Sequence, residues 1–184
     1  IQLHAIDPAV WSGLPEWHGE LDAQLTCTIG DLDVGGVAVS IDSLSGVLRD
    51  NPVTATGLAT HISQETRLDN VRFDSGDNHL VVNGVVSERL DLDFDVYMPN
   101  LEAVLPGASG LLSASGDIRG DMHSPQVNIK ADGKAVHFNE EYVDKLELLV
   151  DIGSLSSETG EVQLTAEGVK TGDLAIDSVN LHAS

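Results

Sequence analysis

Residues 89–97 read RLDLDFDVY, and their alternation decides the fold. Leu90, Leu92, Phe94 and Val96 fall on one side of a period-two chain, and Asp91, Asp93 and Asp95 on the other. A helix would scatter both sets around its circumference, so the stretch is a strand with one apolar and one acidic face. ELDAQLTCTI (20–29) repeats the figure with Leu21, Ala23, Leu25, Cys27 and Ile29. Working outward, the same signal predicts strands over 32–41, 53–62, 67–74, 79–87, 111–119, 126–132, 144–152, 161–167 and 174–182. Gly, Asn, Asp and Ser stand between them and supply the turns. Strands that succeed one another with so little helix predict antiparallel meander pairing.

Several of these strands taper. LSASG (112–116) runs from a large side chain through alanine to glycine, and VTATG (53–57), IKADG (129–133) and LTAEG (164–168) do the same. LVVNG (80–84) has valine in the alanine place. In LSASG, Leu112, Ala114 and Gly116 share the apolar side, with Ser113 and Ser115 opposite. A single copy reads as a bulge or turn glycine. The repetition predicts an apolar strip left narrow, with room for an acyl chain or for a neighbouring strand to curl. A closed sandwich would fill such a strip with large side chains. Parity within strands leaves open whether a second sheet covers the face.

Two short helices are predicted. Asp7 before Pro8 is an N-cap with proline at the first helical position, opening PAVWSGL, and Asn100 caps LEAVL before Pro106-Gly107 stops it. LPEWHGELDA (14–23) and LPGASGLLSA (105–114) then share the pattern L-P-x-x-x-G-x-L-x-A, 91 residues apart. The expectation is one continuous β domain over 1–184 with two approximate internal modules, 1–98 and 99–184. A start at Ile1 reads as a fragment of a longer protein, with any signal or anchor outside it.

Composition bounds the function. Nine basic against 30 acidic residues give a formal charge of −21, a field that repels phosphate backbones, so no nucleic acid is expected as a partner. The regular alternation argues against acidic disorder. No run of about 18 apolar residues is present to span a bilayer. Aromatics are only 4% of the chain, so the core rests on Leu, Val, Ile and Ala. Cys27 stands alone, which rules out an internal disulfide, and reads as a small buried side chain.

The chain carries no enzymatic signature. Asp91-x-Asp93-x-Asp95 lacks the glycine and the later glutamate of a calcium loop, and alternate strand residues lie about 6.8 Å apart, too far to wrap one ion. Asp31-x-Asp33 reads likewise as solvated. Histidines at 4, 18, 61, 79, 123, 137 and 182 have no partner at ligand spacing. No G-x-S-x-G elbow or phosphate loop appears, and GDLDVGG (30–36) is hairpin chemistry. Glu140-Glu141 face opposite ways or sit in a loop. Trp11 and Trp17, around Pro15, are expected to cap the end of the sheet. No metal, cofactor or catalytic residue is expected.

The run NLEAVLPGASGLLSASGDIRGDMHSPQVNIKADG (100–133) resembles the repeat of the TamB and AsmA-like family of Gram-negative bacteria. The resemblance rests on Leu101, Leu105, Pro106, Gly110, Leu112, Ala114, Gly116, Ile118, Gly120 and Pro125. VDKLELLVDI, EVQLTAEG and GDLAIDSVNL are similar to the strand sets that follow in such proteins, whereas the first module matches less well, since Leu25-Thr26-Cys27 lacks the glycine. The resemblance implies a long, curved, twisted antiparallel sheet forming an open trough with an apolar interior (β-taco-like). It implies an inner-membrane anchor at the N-terminus of the full-length protein, with the rest in the periplasm. It also implies phospholipid transport between membranes and, with an outer-membrane TamA-like partner, assembly of autotransporters and other outer-membrane proteins.

On this reading the groove is lined by Leu80 and Val82, by Leu90, Leu92, Phe94 and Val96, and by Leu112 and Ala114. Ile129, Ala131, Leu146, Leu148, Val150, Leu164 and Ala166 complete it. The expected occupants are phospholipid acyl chains or nascent β-barrel strands. Two alternatives stay open: a module that pairs its strand edges with a client by β-augmentation, and an acidic surface-adhesin sandwich without a groove.

Overall fold

A computed structural model describes residues 1–30, 36–154, 159–172 and 174–183. All twelve strands belong to a single antiparallel sheet in chain order, β1 to β12. They are β1 (Gln2–Ile6), β2 (Gly19–Ile29), β3 (Val37–Leu48), β4 (Asn51–Ile62), β5 (Glu65–Ser75) and β6 (Asn78–Val86). The sheet continues through β7 (Arg89–Met98), β8 (Ala108–Asp121), β9 (Ser124–Phe138), β10 (Glu141–Ser154), β11 (Thr159–Thr171) and β12 (Leu174–Ala183). β1 and β12 do not pair, so the sheet is an open trough rather than a barrel. No helix among the described residues is long and apolar enough to cross a membrane.

The described residues form only one layer of sheet. Among the described residues every extensive strand contact is between chain neighbours, no second sheet packs across the apolar face, and the sandwich alternative falls. The surface shows the same thing. A compact protein of 19.4 kDa exposes about 8,500 Å², whereas this chain exposes 11113 Å². The sheet also curls. On a flat sheet the β3–β4 turn and the β7–β8 connection would lie four strand spacings apart, roughly 19 Å. Yet Arg49 Nη1 in the first donates to the Glu102 carbonyl in the second at 2.6 Å.

The tightest packing lies along that rim. Leu21, Leu48 and Val53 form a buried cluster, with Ile6, Trp17, Leu44 and Phe73 packed against it. Trp17 thus does cover the end of the sheet, while the side chain of Trp11 lies outside the described residues. Helix α1 (Pro8–Ser12) starts at Asp7, whose Oδ1 accepts from Ala9 N at 3.0 Å and Gly19 N at 3.2 Å. A 3-10 turn follows at Pro15–Trp17.

The second predicted helix shrinks to a 3-10 turn, Leu101–Ala103, and Asn100 does not cap it through its side chain. Instead Asn100 donates its backbone N–H to Asn78 Oδ1 at 3.0 Å, and Asn78 Nδ2 donates to the Ser75 carbonyl at 3.0 Å. Asn78 is 1% exposed, so the clasp is internal and gives this loop a hold that a helix cap would otherwise supply.

Two strand predictions and the burial of Cys27 are corrected. β1 was not expected. The stretch predicted over 32–41 begins outside the described residues at 32–35, and β3 runs past Ile41 to Leu48. A register shift between Ile41 and Leu44 absorbs Asp42 and Ser43, which break the alternation without ending the strand. Cys27 lies on the apolar side but is exposed.

Candidate functional site: an uncovered apolar face

Antiparallel partners point to the same face, so the register can be followed across the sheet. One row runs Leu80, Val96, Ala114, Ala131, Leu148, Leu164 and on to Leu181. A second runs Val82, Phe94, Gly116, Ile129, Val150 and Val162. A third joins Met98, Leu112, Gly133, Leu146, Ala166 and Val179. Leu92 continues into Ile118, Val127 and Ile152, and Leu90 stands opposite Gly120. All the residues named from sequence as groove lining therefore stand on one face, in rows that cross the strands. On β7 this face is half-buried and the acidic face exposed, as expected where the sheet bends toward its apolar side.

The face extends over strands for which no lining residue was named from sequence. Phe73 and Val71 of β5 pair with Leu80 and Val82, and Leu44 of β3 pairs with Ala55. Each lies beside a register shift, between Leu68 and Val71 in β5 and between Ile41 and Leu44 in β3. An extra residue there resets the parity, so the usable signal was an apolar residue three positions, rather than two, after the last one.

The tapers interlock. LSASG and IKADG pair as Leu112–Gly133, Ala114–Ala131 and Gly116–Ile129, so the wide end of each meets the narrow end of the other. The space over Gly116 is already filled. A Cβ there would lie 2.9 Å from Phe94 Cζ and clash with the Asn128 carbonyl oxygen. A Cβ at Gly133 would lie 2.9 Å from Val136 Cγ2, and one at Gly57 would lie 2.7 Å from Val71 Cα. Of the two expected uses of the narrow strip, the packing at these glycines is the second: neighbouring strands occupy it, and what stays open is the face above the side chains.

The opposite face is polar and internally paired. Arg119 Nη2 donates to Asp93 at 2.6 Å, Nη1 sits 2.6 Å from Asp91, and Nε lies 3.8 Å from Asp117. His79 Nε2 lies 3.4 Å from Asp95. The aspartate ladder therefore meets the Arg119 guanidinium from β8 and the His79 ring from β6. The Asp31-x-Asp33 pair lies outside the described residues. Among the described residues no three His, Cys, Asp or Glu side chains are placed to share a metal ion.

On β10, Lys145 Nζ meets Glu147 Oε1 at 2.6 Å; hydrogen bonding and charge raise the lysine pKa and lower the glutamate. Asp42, in the β3 bulge, accepts from Thr26 Oγ1 at 2.5 Å and Ser40 Oγ at 2.7 Å, which lowers its pKa.

Against known proteins, the whole chain, residues 1–184, matches the family model described as TamB, N-terminal domain. No solved structure matches it.

Proposed function

The chain belongs to the TamB N-terminal-domain family, and from that premise we propose that it is one non-enzymatic length of a periplasmic trough that carries phospholipid between membranes. In the full-length protein the trough is anchored in the inner membrane. The observation that supports this is the uncovered apolar face: rows of Leu, Val, Ile and Ala crossing the strands of a one-layer sheet. At about 4.8 Å per strand, twelve strands make a track of roughly 50 Å along the trough axis. Acyl chains lying on it would cover surface that the protein leaves to water. The modules 1–98 and 99–184 are then two lengths of the same track, since the 91-residue offset carries β2 onto β8 and β4 onto β10.

A nascent β-barrel strand is the alternative occupant of the face, for delivery to an outer-membrane TamA-like partner. Native mass spectrometry of detergent-free protein purified from an envelope fraction separates the readings. Lipid transport predicts co-purified phospholipid, lost on Leu92→Asp or Leu148→Asp with the fold retained by circular dichroism. A lipid-free wild type that binds an unfolded barrel protein would replace it with the assembly reading.

A further inference from the structure

The apolar face is not uniform from one strand end to the other. Near the rim that carries the β3–β4 turn and the β7–β8 connection, one row runs Leu21, Gly46, Val53, Ser75 and Asn78. All of these but Gly46 are buried, with Val53, Ser75 and Asn78 each 1% exposed. A second row runs Cys27, Val39, Ala59, Leu68, Gly84 and Leu92. It lies six residues further along β2, β4 and β6, and seven along β3 and β5, whose bulges take up the difference. None of its residues is buried, Cys27 and Val39 are exposed, and Ile29, at the very end of β2, is 69% exposed.

The lengths of the connections account for this gradient. On the first rim, Trp17 and Ile6 pack on Leu21, Leu48 and Val53. The β7–β8 connection adds Leu101 and Ala103, both buried, and is tied down through Glu102 to Arg49 and through Asn100 to Asn78. On the opposite rim the connections 63–64, 87–88 and 122–123 have two residues each, too few to fold back over the face. The trough is therefore blind along one rim and open along the other.

From Val53 to Ala59 strand β4 rises about 20 Å. One leaflet contributes about 15 Å to the hydrocarbon of a bilayer. An acyl chain thus fits along the strand direction, between the closed row and the open rim. Beyond the open row the face turns partly polar, where His61 Nδ1 and Thr66 Oγ1 pair at 2.9 Å. A charged headgroup keeps its water only at that rim, since burial without partners is costly.

Resting on the transport reading above, we propose that phospholipid lies across the trough rather than along it. The methyl ends of its chains point at the closed row of Leu21 and Val53, and the ester ends and headgroup stand at the open rim beside Ile29 and His61.

Cys27, the single cysteine, stands in the open row and takes a fluorophore directly. A second probe is placed by Ala55→Cys in a Cys27→Ser background, beside the closed row on the same face; Leu44→Cys, at its cross-strand partner, serves if that variant does not fold. Each labelled protein is incubated with vesicles of phosphatidylcholine brominated near the ester end or near the methyl end of its chains, and the vesicles are then removed. The expected result is reciprocal: the Cys27 probe loses more fluorescence to ester-end bromine, and the probe beside the closed row loses more to methyl-end bromine. Equal quenching by the two lipids, or the reverse order, with phospholipid still bound by native mass spectrometry, would overturn the orientation and leave the transport reading standing. Absence of bound lipid would overturn both.

Discussion

Gly116→Ala tests the account of the tapers, because two readings of the same glycine predict opposite signs. If the space over Gly116 were open groove, alanine would relieve the entropic cost of a strand glycine and stabilise the protein by about 0.5–1 kcal/mol. In the structure the new Cβ would meet Phe94 Cζ at 2.9 Å and Cε1 at 3.1 Å, and would clash with the Asn128 carbonyl oxygen. The ring can tilt away. The carbonyl cannot, because the register fixes Gly116 against Ile129, the residue that follows it. Clearing it means displacing β9, and forcing a methyl into a packed site costs about 1–3 kcal/mol. The expected net loss is therefore about 1–2 kcal/mol. Urea unfolding reads it as a lowered midpoint at unchanged slope. Gly133→Ala is the comparison, since its closest obstacles are side chains, Val136 Cγ2 at 2.9 Å and Leu146 Cβ at 3.3 Å, and its loss is smaller. Adding Phe94→Leu to Gly116→Ala removes the ring contact but not the carbonyl, so it recovers only part of the loss. A Gly116→Ala variant as stable as the wild type, or more so, would refute the interlocked packing.

Asn78→Ala leaves the Ser75 carbonyl and the Asn100 N–H without their partner in a site 1% exposed, and costs about 2–4 kcal/mol. Limited proteolysis should then cut the β7–β8 connection, 99–107, well before global unfolding. Arg119→Ala strips the cation from Asp91, Asp93 and Asp117, of which Asp93 and Asp117 are direct cross-strand partners. The expected loss is about 1 kcal/mol at low ionic strength, shrinking as salt is added, followed as the melting temperature against sodium chloride. Lys145→Met lowers the melting temperature at neutral pH, where Glu147 is ionised and held below the usual carboxylate range. The sign follows from linkage: a depressed carboxylate contributes stability above its unfolded pKa and loses it as pH falls through the folded value. In strong acid the deficit vanishes or reverses, because Lys145 then faces only Lys134, its cross-strand partner. A deficit that is the same at both pH values would contradict the assignment.

How far the sequence could be read depended on where period two holds. In β7 it holds without interruption, so the faces of Leu90, Leu92, Phe94 and Val96 follow from parity alone, and β8 to β11 inherit them by register. In β3 and β5 it fails. Asp42-Ser43 follows the predicted end of the strand at Ile41 and Asp69-Asn70 falls inside the one predicted over 67–74, and in both places the strand carries a bulge that returns Leu44 and Val71 to the apolar face. Asn100 shows a different limit. Its identity as a capping residue was visible, but its real partner is Asn78, 22 residues earlier, and the β6–β7 register that sets His79 opposite Tyr97 brings the two together. Cys27 was placed on the correct face, but its burial depended on a covering layer, and no single strand encodes whether one exists.

The interlocked tapers also explain why one layer suffices. Antiparallel pairing reverses the order of side-chain sizes, so Leu112 meets Gly133 while Gly116 meets Ile129, and Phe94 closes over Gly116 from the other side. Phe94 over Gly116, and Val136 and Leu146 beside Gly133, thus find cover within the sheet rather than across a core. That arrangement needs no second sheet to satisfy packing. A large residue on one strand leaning over a glycine on its neighbour shortens one face relative to the other, which bends the sheet toward the apolar side. The curl seen where Arg49 reaches Glu102 and the open face above Leu92 and Leu148 then have one cause. It follows that filling several of these glycines together should flatten the trough before it unfolds it.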